Sequence, residues 1–173
     1  DASPEMILTL RSSIETRLRQ DALESGHDYE CAFSMLAREM VGEILGTFDE
    51  QLFSTLIDCE LSVEKEVLYV KDGMIDILKW LKVIGKKLIA VSDMYLDQAY
   101  IAEIFREKGL DSYFDNIYVS SMNKYGKHSG RQFIHIILNE TTMPDRIVHI
   151  GDNSISDFNA PHRLGMKAIH LKD

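Results

Sequence analysis

Arg146-Ile147-Val148-His149-Ile150-Gly151-Asp152-Asn153-Ser154-Ile155-Ser156-Asp157 is the stretch that decides the fold. Its first five residues are mostly apolar and predict a buried strand, which Gly151-Asp152 ends in a polar turn. A short helix is expected over 157–164, closed by Gly165, and then a last strand, Ala168-Ile169-His170-Leu171. The same alternation runs backwards from here. A helix is expected over 131–139 with Phe133, Ile134 and Ile137 inward, after a strand Asn116-Ile117-Tyr118-Val119. Before these come a helix over 99–108 closed by Gly109 and a strand Leu88-Ile89-Ala90-Val91. Lys71-Asp72-Gly73 turns into a helix carrying Ile75, Leu78, Leu81 and Ile84. Apolar strands separated by helices predict an α/β fold, a parallel sheet with helices on both faces.

Upstream the pattern is all-helical. Ser3-Pro4-Glu5-Met6 carries the marks of a helix start: a capping hydroxyl, proline in the first turn and an acid beside it. Tyr29, Ala32, Phe33, Leu36, Met40 and Val41 form one helical stripe. A third helix carries Phe48, Leu52, Phe53, Leu56 and Ile57, and a short acidic fourth is expected over 61–67. Gly26 and Gly46 fall at the joints. The expected division is a helical subdomain over 1–66 and an α/β core over 67–173.

Nineteen Lys and Arg stand against 28 Asp and Glu, a net charge of −9. With no basic stripe to neutralise phosphates, a nucleic-acid partner is not expected. No apolar run is long enough to span a membrane, and no secretory signal is visible. The balance fits a cytoplasmic protein handling a small ligand. Cys31 and Cys59 read as buried free thiols, since both sit in apolar helical surroundings without metal-like spacing. His149, between apolar neighbours, reads as a core residue. Arg11, Arg17 and Arg19 read as a solvated helix face.

In parallel sheets of this kind ligands bind at the carboxyl ends of the strands. The tips here read Ser92-Asp93, then Ser120-Ser121 followed by Lys124 and Lys127, then Asp152 with Asp157. Hydroxyls donate to phosphate oxygens, a lysine supplies a point charge, and carboxylates hold Mg²⁺ through oxygen. This combination suits a phosphate beside a hard divalent cation. Asp152-Asn153-Ser154 is not a calcium loop, because Asp157 stands where the turn glycine belongs and Arg163 where the closing acid does.

The order and spacing from Val67 to the C-terminus resemble the haloacid dehalogenase (HAD) superfamily of hydrolases. Its second motif, a hydrophobic strand ending in Ser or Thr, is matched by Leu88-Ile89-Ala90-Val91-Ser92. Its third, a lysine with Phe six residues on, is matched by Lys127 and Phe133. Its fourth, a strand followed by Gly-Asp and a second Asp, is matched by Gly151-Asp152 with Asp157. The helical front part is similar to the family's cap.

The resemblance implies that Ser92, assisted by the Asp93 amide, binds the transferring phosphoryl group. Lys127 neutralises it. Asp152 coordinates Mg²⁺, with Asp157 as co-ligand or support behind it. The implied reaction is hydrolysis of a small phosphorylated metabolite through an aspartyl-phosphate, with Ser92 and Lys127 in catalytic roles.

The family's first motif is a strand ending in Asp-x-Asp that carries this nucleophile. It has no counterpart here: no Asp-x-Asp occurs anywhere in the sequence. In the family that strand lies between those of the second and fourth motifs. The expectation is therefore a further N-terminal piece of about ten residues or more, weak Mg²⁺ binding and no turnover by the chain as given. The alternative is a non-catalytic HAD-like module or a piece of a larger enzyme, and an incomplete sheet edge favours self-association. A dehalogenase on the same scaffold is a further reading, disfavoured because that chemistry needs no metal pair.

Overall fold

The fold is described from a computed structural model, over residues 3–172. Asp1, Ala2 and Asp173, at the ends of the two expected segments, lie outside the described residues. Three long helices come first: α1 (Pro4–Glu24), α2 (Phe33–Leu45) and α3 (Glu50–Val67). The expected start of α1 is present, with Pro4 in its first turn and Ser3 Oγ accepting from the Met6 amide at 3.3 Å. Gly46 ends α2 in the left-handed region at φ 71°, where a side chain is strained. Asp49 caps α3 by accepting from the Leu52 amide at 2.7 Å.

The separate acidic helix expected over 61–67 is instead the last part of α3, since no Gly or Pro interrupts 50–67. Ile57 and Leu61, four apart, are the buried residues of that helix, and Cys59 lies on its outer side. Cys59 is therefore exposed, against expectation, whereas Cys31 is buried.

The α/β part follows as α4 (Met74–Val83), β1 (Ile89–Ser92), α5 (Gln98–Glu107), β2 (Asn116–Val119), α6 (Ser120–Asn123) and α7 (Arg131–Asn139), then β3 (Val148–Gly151), α8 (Ala160–Arg163) and β4 (Lys167–His170). A 3₁₀ turn, Pro144–Arg146, takes the start of the expected third strand. The expected helix over 157–164 is preceded by a π-helix, Ser154–Asn159, before α8 closes the unit. Ile134 points outward, because Phe133, Ile136 and Ile137 make the inward stripe of α7.

Among the described residues all strand pairing is parallel. Ile89 to Ser92 run beside Asn116 to Val119, and Val148 to Gly151 beside Lys167 to His170. Among the described residues these are two separate two-stranded sheets, with no ladder joining β1 to β3. Val148, Ile150 and Ile169 lie on one face of the β3–β4 pair and are about half exposed.

The larger core cluster joins Ile14 and Leu18 of α1, Phe33, Leu36, Ala37 and Met40 of α2, and Ile57 and Leu61 of α3 to Leu96, Ile101, Ile104 and Val119. The helical front part is thus packed into the first half of the α/β unit. Each large side chain buried there contributes about 1.5–3 kcal/mol. A second cluster gathers Phe133, Ala160 and Met166, with Val91, Ile137, Ile147 and Leu164 against it. No helix among the described residues is long and apolar enough to cross a membrane.

Candidate active site

The residues expected in the site lie at, or in the segments after, the carboxyl ends of β1, β2 and β3. Ser92 is the last residue of β1, Lys127 lies in the loop between α6 and α7, and Asp152 follows β3 directly. Parallel pairing sets the tip of β1 opposite that of β2 through the Ser92–Val119 register, and the Lys127–Asp157 contact joins the segment after β3 to them.

Asp157 is the centre of the arrangement. It is buried, and the ammonium of Lys127 lies 2.6 Å from its Oδ1. His149 Nε2 is 2.9 Å from the same oxygen, and the Asn153 amide donates to Oδ2 at 3.0 Å. Burial by itself pushes the Asp157 carboxyl upward, but the bonds from Lys127, His149 and Asn153 outweigh it and hold the group below its ordinary range. The ionised carboxylate only accepts, so Nε2 of His149 carries the ring proton. Burial holds the His149 pKa below its ordinary value, against the pull of Asp157.

The backbone permits this convergence at Gly151. A Cβ there would stand 2.4 Å from Asp157 Cγ, so only glycine admits the carboxylate so close to the strand tip. The π-helix carries Asp157 on its wide turn, and Asn153 begins it by accepting from the Ile155 and Ser156 amides at 3.0 and 2.9 Å.

Asp93 closes the second side. Its two carboxylate oxygens accept from the Lys127 amide at 3.0 and 3.2 Å. Burial raises its pKa, with the Lys127 amide bond opposing the shift and the charge of Asp157 adding to it. Asp93, Lys127, Asp157 and His149 are thus one connected cluster. Ser92 adjoins it through the chain, half-buried and without a side-chain hydrogen bond among the described residues. Asp152 is exposed, and among the described residues its side chain makes no hydrogen bond to this cluster; its backbone carbonyl accepts from His170 Nε2 at 2.7 Å.

The sequence placed Lys127 and Asp157 on the rim but gave His149 to the core. Strand alternation was the available signal: His149 faces away from Val148 and Ile150, towards Phe133, whose ring lies 4.8 Å from its own. Arg11 is not a freely solvated residue either. It pairs with both oxygens of Glu60, at 2.6 and 2.9 Å, and its guanidinium lies over the rings of Phe33 and Tyr95.

A Rossmann-like α/β unit with a helical cap, its polar residues gathered at the strand carboxyl ends, defines the class of protein. The family model for haloacid dehalogenase-like hydrolases matches residues 9–165, and the chain belongs to that family. A 2-haloacid dehalogenase from Pseudomonas syringae pv. Tomato DC3000 superposes with a TM-score of 0.71 at 20% identity, over 98% of this chain and 69% of that one. A HAD phosphatase from Thermococcus onnurineus gives 0.57 at 21% identity, over 96% and 80%. An uncharacterized protein from Listeria monocytogenes serotype 4b gives 0.55 at 22% identity, over 61% of this chain, and the match spans only 62% of that protein's length. At these identities the likeness is one of fold. A search of curated proteins finds no match.

Proposed function

We propose that the chain carries the phosphate-binding rim of a HAD-type phosphohydrolase acting on a small phosphorylated metabolite. The observation that supports this reading is the Lys127 ammonium, fixed by Asp157 beside Asp93 at the carboxyl ends of β1 and β3. A held ammonium at a rim with spare hydroxyl and amide donors is suited to a phosphoryl group. In this reading the Ser92 hydroxyl and the Asp93 amide donate to phosphoryl oxygens and Lys127 supplies the neutralising charge. Asp157 keeps Lys127 oriented, and His149 keeps Asp157 oriented.

Asp152 suits one position on Mg²⁺, which takes one or two carboxylates and completes its shell with water and phosphate oxygens. Both oxygens of Asp157 are committed to Lys127, His149 and Asn153, so its proposed part is support behind the metal. Among the described residues no group of three or more His, Cys, Asp or Glu is placed to hold a metal ion. When bound, Mg²⁺ would neutralise charge on the phosphoryl oxygens. With a net charge of −9, the proposed setting is the cytoplasm and the proposed ligand a small solute rather than nucleic acid.

The sequence holds no Asp-x-Asp, so we propose binding without turnover by this chain alone. The test is titration with inorganic phosphate, with and without Mg²⁺, followed by calorimetry. Binding that Lys127→Met removes supports the reading. Equal affinity in both proteins would leave the non-catalytic module as the better description.

A further inference from the structure

The loop that carries Lys127 has no ladder to hold it, yet its backbone is gripped on both sides of the lysine. The grip comes from the segment joining α1 to α2, about a hundred residues earlier. Asp28 Oδ2 accepts from the Gly126 amide at 2.8 Å and from the Ser129 hydroxyl at 2.5 Å. Its Oδ1 accepts from Arg131 Nη1 at 3.2 Å, and its own amide donates to the Lys124 carbonyl at 2.9 Å. Two residues on, Glu30 accepts from the Ser120 hydroxyl at 2.9 Å, and its Oε1 lies 3.3 Å from where a Cβ on Gly126 would stand.

We infer that Asp28 is a positioning residue for Lys127, setting the backbone on both sides of it from the helical cap. Lysine is a point charge on a flexible stem, so where its ammonium sits is decided by where its backbone is fixed. Asp93 and Asp157 hold the amide and the ammonium of Lys127, and Asp28 holds its neighbours at 124, 126, 129 and 131. A displacement of the cap loop is thereby a displacement of Lys127. Among the described residues Asp28 reaches the site through this loop, and it is not itself a catalytic residue. The binding consequence rests on Lys127 being a phosphate ligand; the positioning does not.

The test uses the full chain with Asp28→Ala, Asp28→Asn and Lys127→Met. The first readout is the ¹H–¹⁵N cross-peak of the Lys127 side-chain ammonium, visible through its pairing with Asp157. The second is affinity for inorganic phosphate. Asp28→Ala is expected to shift or broaden that cross-peak and to weaken phosphate binding about tenfold, as small displacements of a binding group do. Asp28→Asn keeps an acceptor for the Gly126 amide and is expected to recover most of both. Should Asp28→Ala fail to fold, Arg131→Gln and Ser129→Ala each remove one strand of the grip and are read in the same way.

An unmoved cross-peak in a folded Asp28→Ala protein overturns the inference. An unmoved cross-peak with lost phosphate binding also overturns it, since the loss then has another cause. If Lys127→Met leaves phosphate binding intact while Asp28→Ala moves the cross-peak, the phosphate reading falls and the positioning stands.

Discussion

Lys127 Nζ and Asp157 Oδ1 lie 2.6 Å apart with both side chains largely buried, 13% and 4% exposed. A loop and a π-helix, thirty residues apart in sequence, meet at that contact. A buried pair of this kind is a poor measure of net stability, because desolvation offsets the attraction, but breaking it leaves a charge in a dry place.

We expect Lys127→Met to lower stability by about 2–3 kcal/mol, less than the loss of a wholly isolated pair because His149 and the Asn153 amide still hold the carboxylate. Adding Asp157→Asn removes the stranded charge and should restore part of the loss. Urea unfolding of the wild type, both single mutants and the double mutant checks this. Strictly additive effects would show that the pair is not coupled as the geometry requires.

Gly151→Ala tests the close approach at the strand tip. The new methyl meets Asp157 at 2.4 Å, so either β3 or the π-helix has to shift. The expected cost is about 1–3 kcal/mol, the range for forced overpacking. Because Asp157 moves, the ammonium signal of Lys127 should move too. A variant as stable as the wild type, with that signal in place, would contradict the packing described here.

Glu30 gives a pH dependence with a definite sign. Burial raises its pKa, the Ser120 hydroxyl opposes the shift, and Asp93 and Asp28 add to it while Arg19 lowers it. A raised carboxyl keeps its proton in the folded state after the unfolded chain has released it near 4.5. Stability from this group is therefore full below that pH and is lost as pH rises through the folded value. Glu30→Gln retains an acceptor for Ser120 and carries no charge. Its advantage over the wild type should open above pH 4.5 and persist at neutrality, as read from urea midpoints across pH 4.5–7.5. An advantage that is constant with pH would remove the electrostatic explanation.

Arg11 is expected to resist conservative replacement. Lysine cannot span both oxygens of Glu60 while lying flat over Phe33 and Tyr95, so Arg11→Lys should cost about 1–2 kcal/mol. Thermal unfolding of this variant is the direct measurement. A melting temperature equal to the wild type's would mean that the bidentate pairing carries no weight.

The strand–helix alternation, the joints at Gly26 and Gly46 and the capping of α1 by Ser3 were readable because each is a local preference written in adjacent residues. The expectation that Ser92, Lys127 and Asp152 share a rim came from parallel topology, which sends strand ends to one side. What stayed hidden depends on contacts across long stretches of chain. Nothing near Asp28 announces Gly126, 98 residues away. His149 looked apolar by its neighbours because the partner that defines it, Asp157, arrives on a π-helix that no periodicity foretells. The exposure of Cys59 followed once α3 ran unbroken and fixed which side of it faces the core.

Among the described residues the two strand pairs share no ladder; they are joined by Val91 of β1, which packs in the second cluster, and by the Lys127–Asp157 contact. On heating, the two strand pairs are expected to open as separate cooperative blocks. In a scanning calorimeter the van't Hoff enthalpy should fall short of the calorimetric one. Protection against deuterium should be lost first on β3 and β4, whose Val148, Ile150 and Ile169 face solvent.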